Sequence, residues 1–405
     1  MNASAATGPL AGLRVVELSH VMAGPTCGMM LADLGAEVIK VERLPRGDDT
    51  RRFVPPEIHG ESAAFMMMNR NKRGLAVNLR SESGRAALRR LIGTADFFVE
   101  NYRPGALDEM GLGYDAMHKE HPALIYCSVT GFGRTGPYSG RGGLDLIAQG
   151  MSGLMSITGE GPGRPPVKVG APMTDITAGI LAAMGVLAAH IHRLATGEGQ
   201  LVDTSLFEAG ITHTYWQSAI ALAGGVSPGA MGSAHPLSAP YQAFETADGW
   251  ITVGAANQRN WERLTRVLAA EELLEDSRFA DNAARMAHRL ELEAALSDHF
   301  RHRTTEAWLE AFEAAGLPGG PVLSIEEMHD HPQTRGREML VATDHPVAGW
   351  VEALGPPVKL SATPANLRRP APLLGEHTRE VLSEAGYVEA EIEALIAAGD
   401  VAVPD

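Results

Sequence analysis

The stretch LRVVELSHVMAGPTCGMMLADLGAEVIKVE, residues Leu13–Glu42, decides the fold. Its apolar start, Leu13–Leu18, predicts a buried strand. Pro25–Leu34 has the length and composition of a helix, and Gly35 follows as its end. A second apolar run at Glu37–Glu42 predicts another strand. The stretch therefore predicts a βαβ unit with two parallel strands.

The same alternation continues further along the chain. Leu75–Leu79, Asp96–Glu100 and Ala123–Val129 are predicted strands, and helices are expected near residues 84–92 and 114–120. Strands that alternate with helices favour a parallel sheet covered by helices on both faces. We therefore predict the α/β fold class.

Residues 225–240 mark a change in the pattern. They are rich in Gly, Ser, Pro and Ala, which is typical of a mobile connection. A hairpin pattern at Tyr241–Gly254 follows, and amphipathic helices come after it. We predict a large domain at 1–224, this linker, a smaller α+β domain at 241–325 and a C-terminal segment at 326–405.

The composition excludes several classes of function. The 405 residues carry a formal net charge of −15, so no broad basic face for nucleic acid is expected. The apolar stretch Ile176–Ala189 is shorter than the roughly 20 residues of a membrane span, and we predict a buried helix there. Cys27 and Cys127 indicate no disulfide framework, and Met1–Leu10 has no signal or transit pattern. We expect a loose N-terminal tail and a cytoplasmic protein without membrane or nucleic-acid partners.

Familiar catalytic and metal-binding motifs are missing from the sequence. It contains no HExxH, GxSxG or Walker motif, and His190 and His192 would point to different faces of one helix. We therefore predict no metal site. Asp175 stands where a loop enters a long apolar helix, a position that suits either a helix cap or an ionised carboxylate nucleophile. Its position alone leaves both roles open.

Other polar residues follow the predicted strands. The loop within Glu17–Pro25 is predicted at the carboxyl edge of the sheet, where α/β folds bind ligands. An ordinary turn between a strand and a helix is the alternative interpretation of these residues. Arg43 leaves the second strand and Asn69–Arg73 precedes the third. These basic groups suit the phosphates of a nucleotide-like cofactor, with a solvated charge run as the alternative.

Seven ordered motifs span nearly the whole chain. They are ELSHVMAGP (17–25), LGAEVIKVER (34–43), NRNKRG (69–74), VENYRPGALDEMGLGY (99–114), GAPMTDITAGILAA (170–183), TGEGQLVDTSL (196–206) and APLLGEHT (371–378). Together they resemble the class III CoA-transferase (CaiB/BaiF) family, which includes formyl-CoA transferase. The further stretch GSAHPLSAPYQAFETADGWITVGAAN at 232–257 looks like the succinate and glutarate CoA-transferases of that family.

The resemblance implies a CoA-transferase in which Asp175 is the nucleophile. Asp175 would form a mixed anhydride with the donor acid and then an aspartyl-CoA thioester, from which a second carboxylic acid takes the CoA. The implied partners are acyl-CoA and small-molecule carboxylates, with succinyl-CoA or a similar dicarboxylyl-CoA as the expected donor. Coenzyme A enters as a substrate, and no metal or redox cofactor is expected.

The resemblance also implies the residues that bind coenzyme A. They are His20, Val21, Met22, Ala23, Arg43, Val77, Arg80, Asn101, Tyr102, Arg103 and Arg141. A flexible substrate loop corresponds to Gly254, Ala255, Ala256 and Asn257. This chain departs from some relatives at Glu109, where they have a basic CoA contact. Met22 replaces the glutamine of formyl-CoA transferases, and their glycine run is missing from the loop, so oxalate is a less suitable substrate.

The implied family fold is a homodimer of two interlocked, ring-shaped chains. Each would have a Rossmann-like large domain, a small domain and a C-terminal segment that returns to the large one. A racemase or epimerase of the same family is an alternative, which needs two bases. Its relatives carry a His before the position of Asp145, where this chain has Leu144. A non-catalytic CoA-binding protein is the other alternative, and it would not need Asp175.

Overall fold

The computed structural model describes residues 7–404, and the chain divides into two compact units. The first unit comprises the chain up to Ser152, Val169–His213 and the chain from Pro332 onward. The second unit comprises Gly153–Lys168 and Thr214–His331.

These boundaries differ from the predicted domains. Residues 153–168 and 214–224 are grouped with the second unit, and so is the predicted linker at 225–240. The linker is framed by two elements of that unit, the helix that ends at Gly224 and the strand that begins at Tyr241.

The first unit is built on a seven-stranded sheet. In chain order the strands of the molecule are β1 (Arg14–Leu18), β2 (Glu37–Arg43), β3 (Glu57–Ile58), β4 (Glu61–Ser62), β5 (Lys72–Val77), β6 (Phe97–Glu100), β7 (Ile125–Thr130), β8 (Leu201–Ser205), β9 (Tyr241–Glu245), β10 (Trp250–Gly254), β11 (Gly319–Pro321), β12 (Leu340–His345), β13 (Gly349–Leu354) and β14 (Val401–Ala402). The sheet has the order β14–β5–β2–β1–β6–β7–β8. Its strands run parallel, except that β14 pairs antiparallel with β5. The predicted α/β class is confirmed.

Helices connect the strands and cover the sheet. In chain order they are α1 (Ala23–Asp33), α2 (Ala63–Met68), α3 (Glu82–Ile92), α4 (Ala106–Glu109), α5 (Tyr114–Glu120), α6 (Asp145–Met151), α7 (Leu154–Ile157), α8 (Met173–Thr196), α9 (Leu206–Thr212), α10 (Tyr215–Gly224), α11 (Gln258–Leu268), α12 (Asn282–Ala287), α13 (Arg289–Phe300), α14 (Thr305–Ala315), α15 (Ile325–Asp330), α16 (Pro332–Gly336), α17 (Thr378–Glu384) and α18 (Glu389–Ala397). Single 3-10 turns lie at Asp49–Arg52, Glu271–Leu274 and Ser277–Phe279.

Both faces of the main sheet are buried. Val16 of β1 packs in a cluster with α3, α5 and α17, whereas its neighbour Val15 packs in a cluster with α1 and α8. Successive side chains of a strand point to opposite faces, so both residues are apolar and fully buried. This two-sided burial explains why the strands are continuous apolar runs in the sequence.

Helix α8 is buried along only one face. Ala178, Ala182 and Val186 are buried, whereas Met184 is 61% exposed and Ile191 is 69% exposed. The prediction of a buried helix therefore holds for one face and fails for the other. By length and composition α8 could also cross a membrane, but one such helix is weak evidence, since core helices of soluble proteins pass the same test.

The second unit contains a small antiparallel sheet and helices. Its strands follow the order β11–β10–β9, and the predicted hairpin is present with Trp250 opposite Glu245. Helices α11, α13 and α14 enclose an aromatic core that includes Trp261, Phe244 and Phe300.

Two local predictions need correction. The predicted loose tail covers Met1–Leu10, of which residues 1–6 lie outside the described part of the chain. Leu10 is buried, and its N–H donates to the Leu34 carbonyl at 3.1 Å, so the tail is fixed there. The amphipathic spacing of residues 285–301 predicts one long helix, but α12 and α13 are separate helices that meet at His288.

Candidate active site

A cavity of about 750 Å³ lies at the carboxyl edge of the main sheet. Residues that follow β1 and β6, including His20 and Asn101, line it. The chain builds the sheet outward from β1 in one direction and then from β6 in the other, so the cavity lies where the strand order reverses. Open α/β sheets bind ligands at this topological position.

The cavity gathers most of the predicted site residues of the first unit. The predicted residues that line it are His20, Val21, Met22, Ala23, Arg43, Asn101, Tyr102, Arg103, Arg141 and Asp175. They come from five separate segments of the sequence, and the fold brings them together around one cavity.

Asp175 is the third residue of α8 and does not cap the helix. The capping position is Pro172, and α8 begins at Met173. Burial, and to a smaller extent the nearby charge of Asp145, together raise the pKa of Asp175 to about 7. Burial and a like charge therefore oppose the helix amides, which were expected to keep this carboxylate ionised.

Asp145 is the second carboxylate of the site. It lies in the first turn of α6, and its carboxylate accepts hydrogen bonds from Thr174 and from the side chain of Gln149. These bonds fix Asp145 next to the start of α8. Asp145 is a site residue that the sequence motifs did not predict, since its position entered only through the neighbouring Leu144.

The loop after β1 is fastened to the end of β6. The Asn101 side chain accepts a hydrogen bond from the His20 N–H at 2.9 Å and donates one to the His20 carbonyl at 2.8 Å. The His20 ring stands edge-on to Tyr102 with centroids 5.6 Å apart. Burial lowers the pKa of His20, so the ring is neutral and its 3.6 Å approach to Asp49 is not a charged pair.

The basic side chains of the cavity differ in how they are held. Arg43 pairs with Asp49 at 2.8 Å, so an anion that binds Arg43 must compete with this carboxylate. The Arg141 guanidinium lies over the Tyr138 ring at 3.9 Å. Arg103 is exposed. These groups suit phosphates or carboxylates of a ligand.

Two glycines in the cavity wall touch through their backbones. A Cβ atom added to Gly143 would lie 2.3 Å from the Gly131 Cα, and one added to Gly131 would lie 2.5 Å from the Gly143 Cα. The end of β7 and the segment before α6 can approach this closely only because both residues lack a side chain.

Several predicted site residues lie elsewhere. Val77 is fully buried in the core of the sheet, and its carbonyl accepts from the Leu44 N–H, so its side chain offers no surface to a ligand. Arg80 is exposed and is not part of the cavity wall. Gly254–Asn257 lies at the end of β10 in the second unit, where Asn257 caps α11. Glu109 is exposed in α4.

The basic run Asn69–Arg73 is neither a solvated surface nor a phosphate site. Lys72 is fully buried and contacts Glu17 at 2.7 Å, and Arg70 contacts Asp33 at 2.6 Å. Their charges are neutralised within the protein. Within residues 7–404, no group of three His, Cys, Asp or Glu side chains is placed to hold a metal ion.

Comparison with known proteins gives one consistent family. A model described as CoA-transferase family III matches residues 10–378. The chain is 41% identical over 392 residues to succinyl-CoA:glutarate CoA-transferase of Mus musculus, which covers 96% of this chain and 90% of the relative. It is 40% identical to succinate–glutarate CoA-transferase of Agrobacterium fabrum, with 94% of this chain and 96% of the relative covered.

A solved structure agrees with these relatives. The crystal structure of a CaiB/BaiF family protein from Brucella suis matches with a TM-score of 0.84 and 39% identity, over 94% of this chain and 100% of that one. The resemblance found in the sequence motifs is confirmed along nearly the full length, and this chain belongs to CoA-transferase family III.

Proposed function

We propose that this protein transfers CoA from succinyl-CoA, or a similar dicarboxylyl-CoA, to another carboxylic acid, with Asp175 as the covalent carrier. The observation that supports this most directly is the position of Asp175 in the wall of a cavity that also contains His20–Ala23 and Asn101–Arg103. The names of the relatives support the choice of substrate.

The reaction begins at the Asp175 carboxylate. One of its oxygens attacks the thioester carbonyl carbon, the C–S bond breaks, and CoA leaves as the thiolate while a mixed anhydride forms. The thiolate then attacks the Asp175 carbonyl carbon. The C–O bond of the anhydride breaks, the donor acid leaves as its carboxylate, and an aspartyl-CoA thioester remains.

The second half of the reaction reverses these steps with a different acid. The acceptor carboxylate attacks the aspartyl thioester, CoA thiolate leaves, and a second anhydride forms. The thiolate attacks the acceptor's carbonyl carbon and releases Asp175 as a free carboxylate. No net proton or electron is taken up, so the chain needs to supply only positioning and charge.

The environment of Asp175 favours formation of the covalent intermediates. Burial and the charge of Asp145 both disfavour the ionised carboxylate, which is why its pKa is raised. Acylation removes this negative charge and relieves both costs. A carboxylate with a raised pKa is also a stronger nucleophile once it has lost its proton.

Charge at the cavity supports an anionic substrate. Arg43, Arg103 and Arg141 line the same cavity as Asp175. Their guanidinium groups can bind the phosphates of coenzyme A or the free carboxylate of a dicarboxylyl group. The role of the loop Gly254–Asn257 stays a prediction.

We further propose that the protein is a homodimer in a reducing compartment, the cytoplasm. Support for self-association comes from the apolar stripe of α8, where Ile180, Met184, Ile191 and Leu194 are exposed on one face. A second copy that covers this face would remove the stripe from water. Cys27 and Cys127 are buried free thiols, which supports a reducing environment.

The covalent mechanism is tested at Asp175. Wild-type protein incubated with succinyl-CoA and hydroxylamine should give a hydroxamate at Asp175, detected by peptide mass spectrometry. The Asp175→Ala variant should still bind coenzyme A but should lose transfer by about a thousandfold or more, as expected for removal of a nucleophile.

Asp115→Asn serves as the matched control, since Asp115 is an exposed acid in the first turn of α5. It should transfer CoA at the wild-type rate. An active Asp175→Ala variant or an unmodified Asp175 would exclude the covalent route. Deuterium incorporated from D2O next to the thioester carbonyl, without transfer, would instead indicate the racemase alternative.

A further inference from the structure

Val21, in the cavity wall, has a backbone conformation that valine rarely adopts. Its φ is +67°, in the left-handed region. A β-branched residue is strained there, because its Cβ approaches the backbone too closely. The strain persists only where surrounding contacts impose it.

Asp48 makes the contacts that impose it. The Val21 N–H donates to the Asp48 carboxylate, with distances of 3.1 Å to Oδ1 and 3.3 Å to Oδ2. The Oδ1 atom also accepts from the N–H and the hydroxyl of Thr50, at 2.9 Å and 2.8 Å. Asp48 is 3% exposed, so water does not compete for these bonds.

Lys40 holds Asp48 and the same loop together. Its ammonium donates to Asp48 Oδ2 at 2.8 Å and to the Ser19 carbonyl at 2.7 Å, and it contacts Glu17 at 3.1 Å. Lys40 is fully buried. Ser19 and Val21 are the two neighbours of His20, so Lys40 and Asp48 fix the backbone on both sides of that residue.

Charges around the pair balance within the core. Burial alone would raise the pKa of Asp48, but the Lys40 ammonium lowers it well below its ordinary value. Glu17 is shared between Lys40 and Lys72. A Cβ atom added to Gly28 would lie 1.8 Å from a Glu17 carboxylate oxygen, so glycine at this position leaves room for the carboxylate. Each of these four buried charges therefore has an oppositely charged partner within the core.

We propose that Asp48 is a positioning residue, which holds Val21 in the left-handed conformation and so shapes the loop His20–Ala23 for coenzyme A. The proposal rests on the proposed function, because it takes this loop as part of the coenzyme A site. Asp48 acts through the backbone and does not line the cavity itself. If this contact were lost, the loop would populate other conformations. The apparent affinity for coenzyme A would then fall in proportion to the fraction of molecules whose loop keeps the binding conformation.

The competing explanation is that Asp48 only stabilises the core through Lys40. Two substitutions at Val21 separate the explanations. Val21→Gly removes the cost of the left-handed conformation, whereas Val21→Ala keeps a Cβ and therefore most of that cost. Both lose the valine methyl groups, so the alanine variant is the matched control.

The experiment measures the dissociation constant of coenzyme A by titration calorimetry in both backgrounds, with and without Asp48→Ala, which removes the acceptor of the Val21 N–H. We expect Asp48→Ala to weaken binding about tenfold with Ala at position 21 but about threefold or less with Gly. Unfolding transitions should show the same loss of stability from Asp48→Ala in both backgrounds.

Equal weakening in the two backgrounds would overturn the proposal and leave Asp48 with a structural role alone. If Asp48→Ala does not fold, Asp48→Glu replaces it, since it keeps a charge for Lys40 but moves the acceptor away from Val21. A wild-type protein that binds no coenzyme A would count against the proposed function, whereas binding with equal weakening counts against the positioning role only.

Discussion

Asp145 accepts two hydrogen bonds from Thr174 through one oxygen, Oδ1, at 2.9 Å from the backbone N–H and 2.8 Å from the hydroxyl. Thr174 directly precedes Asp175, so a carboxylate from α6 is fastened to the first turn of α8 beside the proposed nucleophile. A carboxylate that could turn toward solvent would change the pKa of Asp175 only slightly, because water and salt would screen its charge. This one instead contributes, after burial, to the raised pKa of Asp175.

The raised pKa predicts how transfer depends on pH. The proposed nucleophile, Asp175, can attack only when deprotonated, and burial together with the charge of Asp145 raises its pKa to about 7. The kcat/KM for transfer from succinyl-CoA to glutarate, which reports the pKa of the free enzyme, should therefore rise about tenfold per pH unit below that value and level off above it. Steady-state rates between about pH 5.5 and about pH 8.5 would show the midpoint.

Asp145→Asn should move this midpoint to lower pH. Removing a negative charge makes ionisation of Asp175 easier, whereas the asparagine oxygen can still accept from Thr174. The same rate measurements across pH check the shift. A midpoint that stays in place or moves upward would show that Asp145 does not act on Asp175 through its charge.

The same pKa predicts a pH-dependent effect on stability. A carboxyl group with a folded pKa above its unfolded value stabilises the fold below the unfolded pKa, and this stability is lost as pH rises through the folded pKa. For Asp175 the loss falls between about pH 4 and about pH 7. Asp175→Asn lacks this loss, so its unfolding free energy relative to wild type should increase across that window.

The size of this effect is bounded by the pKa shift. A rise from 3.8 to about 7 corresponds to an upper limit of about 4 kcal/mol, reduced by the partial access of water to Asp175. Urea denaturation of both proteins at about pH 5 and about pH 8 measures it. Asp115→Asn, at an exposed site, should show no such change, and a constant difference for Asp175→Asn would contradict the raised pKa.

Elements that depend on local pattern could be predicted from the sequence. Helix α5 lies at the predicted residues 114–120, and α14 is one of the amphipathic helices predicted after the hairpin. Five strands of the main sheet, namely β1, β2, β5, β6 and β7, lie within a few residues of the predicted runs. In these segments the apolar spacing, the caps and the glycine ends agree with the tertiary packing. The position of Asp175 at the start of a long helix is of this kind.

Features that depend on distant contacts could not be predicted. Helix α6 was missed because Leu146 and Ile147 are exposed, so its apolar residues do not follow the spacing of a buried face. Lysine is usually a surface residue, and yet Lys40 and Lys72 are fully buried. Their burial is possible because Glu17 and Asp48, from other segments of the chain, form ion pairs with them. Such pairing becomes visible only when the strands are placed side by side.

The contact between Gly131 and Gly143 predicts a sharp difference between two glycine substitutions. Gly143→Ala would force the two backbone segments apart, because its Cβ would lie 2.3 Å from Gly131. Overpacking of this kind costs about 1–3 kcal/mol, and here it also displaces the cavity wall, so we expect transfer to fall at least about tenfold. Gly140→Ala has open space around its Cβ and should stay within about twofold of wild type. Equal activity of the two variants would show that this wall does not shape the site.

The exposed stripe of α8 predicts how the proposed dimer responds to a charge. Ile191 is 69% exposed in the middle of that stripe, and Ile191→Glu would place a carboxylate against the second copy, where burial without a partner costs several kcal/mol. We expect this variant to shift from dimer to monomer in sedimentation velocity. It should stay folded, because Ile191 makes few buried contacts within its own chain. Val388→Glu is the control, because Val388 is 62% exposed at the start of α18, away from α8. It should sediment as wild type. If the dimer instead persisted in Ile191→Glu and dissociated in Val388→Glu, the interface would lie at the C-terminal segment and not at α8.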